Sequence, residues 1–167
     1  FGFRIDLREI GQRLAEESRA FSGARLRVRV VIGEDGTVHV EAAPVMPHHR
    51  IWRVALATHP IDSQDRFLYH KTTNRRVYEE ARAAFPEHDD VILWNKAGEV
   101  TESSIANIVI RRDGRLVTPP VDCGLLPGVY RKHLLEAGRI HEGRVTVDEI
   151  AREDAVFLIN SVRGWIP

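Results

Sequence analysis

Phe67-Leu68-Tyr69-His70-Lys71-Thr72-Thr73-Asn74-Arg75 is the stretch on which the reading of this chain turns. An apolar, β-prone run ends at Lys71, and a polar turn then leads into a helix expected from about Thr73 to Ala84. Val77, Ala81 and Ala84 fall on one face of that helix, while Arg76, Glu79, Glu80 and Arg82 can face water. A strand behind Lys71 and a helix start ahead of it would fix the amine. The positive helix end and partial burial would both disfavour the ammonium and lower its pKa. Such a lysine is a nucleophile and a Schiff-base former. The plain alternative is a solvated loop lysine, one of 24 Lys and Arg residues.

On the N-terminal side, residues 6–20 carry Leu7, Ile10, Leu14 and Ala15 at helical spacing, with Asp6 as N-cap and Glu9 three positions on. Residues 26–32 and 37–42 alternate around Gly33-Glu34-Asp35-Gly36, the pattern of a β-hairpin. Residues 43–50 hold Pro44 and Pro47 and read as a connector, which divides the chain into 1–45 and 46–167. Beyond it, a strand is expected over residues 51–57. Further strands are expected at Val91-Ile92-Leu93-Trp94, within 99–105, over 107–111 and over 115–118, with an Arg112-Asp113-Gly114 turn. A loop over 119–127 precedes a helix over 129–137. The last part reads as a strand near 144–147, a short helix through Glu149 and Ile150, and a strand over 155–159. Strands and helices mix without a regular βαβ beat, so the fold class is α+β.

Lys plus Arg equals Asp plus Glu at 24 each, which argues against a polyanion-binding surface and against nucleic acid as a partner. One cysteine, Cys123, rules out an internal disulfide and a cysteine-only metal cluster. No apolar run reaches the roughly 18 to 20 residues of a membrane span, and no signal-peptide pattern opens the chain, so a soluble, cytoplasmic protein is expected. The chain opens at Phe1 and reads as a piece of a longer polypeptide. His48-His49 is the one adjacent histidine pair considered for metal; without a carboxylate or cysteine at ligand spacing, no metal site is assigned.

Three further features complement Lys71. Glu102, in Glu99-Val100-Thr101-Glu102-Ser103-Ser104, is either a strand-edge glutamate or a buried carboxylate able to hold a heterocyclic nitrogen protonated. Leu126-Pro127-Gly128-Val129-Tyr130 is either a Pro-Gly turn or a helix start whose free N–H groups receive an anion. Asn160-Ser161 ends an apolar strand with small polar groups, suited either to a second phosphate contact or to capping a turn.

These parts together resemble the site of the fold-type IV pyridoxal-phosphate enzymes, the family of branched-chain and D-amino acid aminotransferases and aminodeoxychorismate lyases. The residues that carry the resemblance are Lys71 with Asn74, Gly98-Glu99-Val100-Thr101-Glu102 with Asn107, and Thr118-Pro119-Pro120. Gly124-Leu125-Leu126-Pro127-Gly128-Val129-Tyr130-Arg131 and Asn160-Ser161 complete the match, which runs from about Leu68 to the end. The resemblance implies the D-amino acid aminotransferase-like fold, with residues 1–45 as the remainder of a small lobe and 46–167 as the large pseudo-barrel lobe that binds pyridoxal 5'-phosphate. It implies that Lys71 carries the cofactor, that Glu102 pairs with the pyridinium nitrogen, and that the N–H groups of Val129 and Tyr130, with Ser161, hold the phosphate.

Lys71-Thr72-Thr73-Asn74-Arg75 and Asn160-Ser161-Val162-Arg163-Gly164 look most like the lyases fused behind an aminodeoxychorismate synthase. On that resemblance the reaction is cleavage of 4-amino-4-deoxychorismate to 4-aminobenzoate and pyruvate, a step toward folate. Arg75 and Arg163 are then candidates to meet a substrate carboxylate, or else surface arginines. The alternatives are a class IV aminotransferase acting on branched-chain or D-amino acids, and a non-catalytic lobe of a larger synthase. The resemblance also implies a homodimer, fused to or paired with the synthase, and a family N-terminal segment that precedes Phe1.

Overall fold

The computed structural model describes residues 2–21, 25–46, 50–152 and 155–167; His48-His49 lies outside them. The chain forms two compact units, Phe1–His48 and His49–Pro167. In the first, helix α1 (Leu7–Ser18) starts at Asp6, whose carboxylate accepts from the N–H groups of Arg8 and Glu9. This is the N-cap expected from the sequence. Strands β1 (Leu26–Ile32) and β2 (Val38–Pro44) pair antiparallel with Val30 opposite Val40. Their turn closes through Gly33, whose N–H donates to the Thr37 carbonyl at 2.8 Å. None of the described residues of this unit is buried.

The second unit is organised by a mostly antiparallel sheet. Its strands are β3 (Val54–Leu56), β4 (Asp90–Trp94), β5 (Val100–Ser103), β6 (Asn107–Arg112), β7 (Arg115–Thr118), β8 (His141–Glu142), β9 (Val156–Asn160) and β10 (Gly164–Ile166). The main path runs β10-β9-β6-β5-β4-β3, with β7 also on β6 and β8 on β7. Helix α2 (Arg76–Ala83) makes the one crossover between the parallel strands β3 and β4. Helices α3 (Val129–Glu136) and α4 (Val147–Ile150) follow β7 and β8. Among the described residues no helix is long and apolar enough to cross a membrane.

The short apolar runs are strands buried on both faces. In β6, Ile108 and Ile110 enter one cluster with Ile92, Val100, Val145 and Leu158, while Val109 between them packs on the other side with Leu134, Ile140 and Ile159. Side chains alternate across a strand, so a continuous apolar run fits only where both faces are covered. In β4, Ile92 belongs to the first cluster, and Leu93 packs with Ile61, Leu68 and Tyr78.

The structure corrects the sequence reading in four places. The β-prone run before Lys71 is a 3-10 turn, Arg66–Tyr69, capped by Asp65, which accepts from the Phe67 N–H. A capping carboxylate at its start and a single buried anchor, Leu68, favour a turn over a strand there. Helix α2 starts at Arg76, not Thr73, because Thr72 and Asn74 engage each other locally, the Thr72 hydroxyl bonding the Asn74 carbonyl at 3.4 Å. In place of a strand over 144–147 there is an isolated bridge of Glu99 with Thr146, after the two-residue β8. Strand β10, pairing Trp165 with Ile159, was not expected.

Candidate active site

Glu102 is the centre of the site. It stands on β5 directly opposite Asn107 on β6, across a tight loop closed by the Ser103 N–H to the Ala106 carbonyl at 2.8 Å. Directly opposed residues on paired strands hold their side chains within reach of each other. The Asn107 amide accordingly donates to Glu102 Oε2 at 3.3 Å and to the Leu126 carbonyl at 2.9 Å. Glu102 Oε1 accepts from the Tyr78 hydroxyl at 2.7 Å and from the Leu126 N–H at 3.1 Å. The carboxyl is 5% exposed. Burial pushes its pKa up to about 7; the Tyr78 and Leu126 donors, then Lys71 and Arg75, act the other way without cancelling it.

Leu126 ties this carboxylate to the start of α3. Gly128 is the N-cap of that helix and offers no side-chain acceptor to its first N–H groups. A Cβ on Gly128 would lie 2.2 Å from the Asn107 side-chain oxygen, so glycine is required by close approach. Val129 is exposed and Tyr130 half-buried at the helix start. Arg131, 3% exposed, anchors the helix by donating to the Pro119 carbonyl at 2.7 Å and to Glu142 at 2.6 Å. Thr118, one residue earlier, fixes the end of β7 through the Ile108 carbonyl at 2.7 Å.

Beside the helix start lies the turn between β9 and β10. A Cβ on Gly164 would sit 3.8 Å from the Tyr130 hydroxyl, and Tyr130 and Trp165 share one apolar cluster. Asn160 locks the turn: its side-chain oxygen accepts from the Val162 and Arg163 N–H groups, and its amide donates to the Ile105 carbonyl at 3.3 Å. Asn160 therefore caps the turn, and exposed Ser161 is the residue it presents.

Lys71 is exposed, in irregular backbone between the 3-10 turn and α2, so the partial burial and adjacent helix start expected for it are absent. Its charge nevertheless reaches Glu102. The 3-10 turn before it packs against the loop carrying Leu126, since a Cβ on Gly124 would meet Ser63 at 3.1 Å and Leu68 at 3.3 Å. The Arg75 guanidinium lies 4.8 Å over the Tyr78 ring and donates to the Ser104 carbonyl. That of Arg163 lies 5.7 Å from the Trp52 ring.

Leu126 thus links Glu102 to the α3 start, and Tyr130 links that start to the turn that carries Ser161. Tyr78 and Asn107, which embrace Glu102, received no role from the sequence. Tyr78 shares the apolar face of α2 with Val77 and Ala81, and its partner lies 24 residues away in sequence. A hydroxyl at the tip of a core aromatic was the available signal. A second polar knot, Glu99 with Arg144, Asn95 and Cys123, ties Cys123 to the turn between β4 and β5. Among the described residues no cluster of His, Cys, Asp or Glu could hold a metal ion.

Residues 4–167 match the family described as Amino-transferase class IV. The chain belongs to that family. A Schizosaccharomyces pombe protein provisionally named as an aminodeoxychorismate lyase is 35% identical over 82% of this chain and 63% of its own length. A crystal structure from Mesorhizobium loti, provisionally named as an amino-acid aminotransferase, superposes with a TM-score of 0.87 at 40% identity, covering 99% of this chain and 82% of that one. The PLP-form of a branched-chain amino acid aminotransferase from Thermobaculum terrenum superposes at 0.76 with 19% identity, over 98% and 62% of the two chains. The chain spans about half the length of the curated relatives it matches. The α+β, fold-type IV architecture agrees with the expectation from sequence, and membership of the class IV aminotransferase family agrees with pyridoxal phosphate as its cofactor.

Proposed function

We propose that the protein is a pyridoxal-phosphate enzyme that cleaves 4-amino-4-deoxychorismate to 4-aminobenzoate and pyruvate. The observation that carries the cofactor placement is Glu102, a buried carboxylate oriented by three donors and pushed toward neutrality by burial. A protonated ring nitrogen supplies the positive charge that this site is built to meet. The uncapped start of α3 suits a phosphate, so the residues present fit the cofactor. For the reaction itself, the support is the 35% identity with the yeast protein provisionally named as a lyase.

Bound pyridoxal phosphate supplies an electron sink for breaking bonds at the substrate carbon that bears nitrogen. Lys71 would hold it and, as a free amine, would be the base that takes the proton from that carbon. Glu102 keeps the ring nitrogen protonated. The N–H groups of Val129 and Tyr130 and the Ser161 hydroxyl bind the phosphate. Arg75 and Arg163, each held beside an aromatic ring, would meet the substrate carboxylates. Departure of the enolpyruvyl group leaves an aromatic ring, which drives the reaction forward. The same reading carries a cytoplasmic homodimer in the route to folate, fused to or paired with the synthase that makes the substrate.

Borohydride reduction of the full-length protein loaded with pyridoxal phosphate, followed by peptide mapping, should place the cofactor on Lys71, and Lys71→Ala should abolish the label. Labelling elsewhere overturns the assignment. Release of pyruvate from aminodeoxychorismate without an amino acceptor supports the lyase. The aminotransferase reading, favoured by the 40% identity to the Mesorhizobium loti protein, instead requires conversion of an amino acid to its keto acid with the cofactor recovered in its amine form.

A further inference from the structure

We propose that Tyr78 is a positioning residue for cofactor capture: its phenol fixes one oxygen of the Glu102 carboxylate and leaves the other turned toward the ring nitrogen. The inference rests on the reading that Glu102 receives that nitrogen, and it goes beyond it by naming what selects the productive orientation. The two oxygens of a carboxylate are chemically equivalent until donors distinguish them. Here Oε1 takes the 2.7 Å bond from Tyr78 and the 3.1 Å bond from the Leu126 N–H, whereas Oε2 takes the longer 3.3 Å contact from Asn107. An oxygen already receiving two donors has little remaining capacity, so Oε2 is the one able to accept from an incoming N–H.

Tyr78 is itself rigidly held. It is 9% exposed and packs with Ile61, Leu68 and Leu93, and the Arg75 guanidinium lies 4.8 Å over its ring. Burial, then the charge of Glu102, raise the phenol's pKa, so it stays protonated and remains a donor. The charged groups that bear on the pair are Lys71 and Arg75 toward Glu102, and Arg75 and Asp65 toward Tyr78. Tyr78 thus acts through Glu102 and needs no contact with the substrate.

The test measures equilibrium affinity of the full-length protein for pyridoxal phosphate and for its analogue in which the ring nitrogen is replaced by C–H. Wild type should prefer the nitrogen form. Tyr78→Phe should weaken binding of pyridoxal phosphate by on the order of tenfold while changing affinity for the carbon analogue less than about twofold. It should add little on top of Glu102→Gln, because the two act as one unit. A wild type that does not distinguish the two ligands overturns the assignment of Glu102 to the ring nitrogen, and this inference with it. A wild type that distinguishes them and a Y78F protein that distinguishes them equally well overturn the Tyr78 inference alone. Equal weakening for both ligands marks a packing role and also overturns it. Should Y78F fail to fold, 3-fluorotyrosine at position 78 keeps the ring and strengthens the donor. Discrimination then rises, and unchanged discrimination overturns the proposal.

Discussion

The two ends of the candidate site are built on opposite principles. At the Glu102 end the carboxyl is buried, with donors from α2, β6 and the Leu126 loop converging on it. At the α3 end Val129 and Ser161 are exposed, and the helix N-cap, Gly128, presents no side chain to its N–H groups. The difference teaches that the first end is part of the buried fold and the second is presented at the surface by anchors beneath it, Arg131 and Asn160. Substitutions at the Glu102 end should change stability and ligand binding together. Those at the phosphate end should change binding alone.

The largest expected effect is the pH dependence of stability before cofactor binds. Folded Glu102 keeps its proton up to about pH 7, whereas the unfolded side chain releases it near its ordinary value of 4.5. In that window the folded state binds more protons than the unfolded state. The contribution of this group to stability therefore falls as pH rises from about 4.5 to about 7 and is flat above, amounting to about 3 kcal/mol at most. Urea unfolding across this range should show the decline for wild type and its loss in Glu102→Gln. A wild-type curve without that slope would mean that Glu102 is not buried as described.

Next is Gly128→Ala, which joins the two ends. Its Cβ would press on the Asn107 side-chain oxygen, and Asn107 would give up its bonds to Glu102 and Leu126. Strain plus unsatisfied polar groups should destabilise the protein by about 2 kcal/mol and weaken pyridoxal phosphate binding as well. Thermal unfolding and cofactor titration read the two effects separately. Full stability in this variant would show that Asn107 reorients freely, and the contrast between a fixed and an open end would fail.

Much of the fold was legible because local chemistry and tertiary placement agree. Asp6 caps α1, the 33–36 turn closes β1 on β2, and β7 spans the residues that its pattern marks. Where they disagree, pattern reading failed: Phe67, Leu68 and Tyr69 have strand propensity, yet Asp65 and the burial of Leu68 impose a turn. Strand β10 is three residues long and shows no periodicity to read. In the site, Glu102 and Gly128 lie in motifs that sequence alone displays. Tyr78 does not, because its role depends on a contact between α2 and β5 that no local pattern encodes. Arg163 has its guanidinium beside Trp52, a neighbour 111 positions away in sequence that spacing could not supply.

The smallest effect sharpens the comparison most. Ser161 is exposed at a turn that Asn160 already holds through the Val162 and Arg163 N–H groups and the Ile105 carbonyl. Removing its hydroxyl deletes none of those bonds, so Ser161→Ala should leave unfolding free energy within about 0.5 kcal/mol of wild type. One hydrogen bond to a phosphate would still be lost, and affinity for pyridoxal phosphate should fall roughly threefold to tenfold. Affinity for pyridoxal, which has no phosphate, should not change. If Ser161→Ala weakened both ligands equally, the hydroxyl would not be a phosphate contact. If it lowered stability as much as Gly128→Ala, the phosphate end would be as much a part of the folded core as the Glu102 end, and the distinction between them would have no energetic basis.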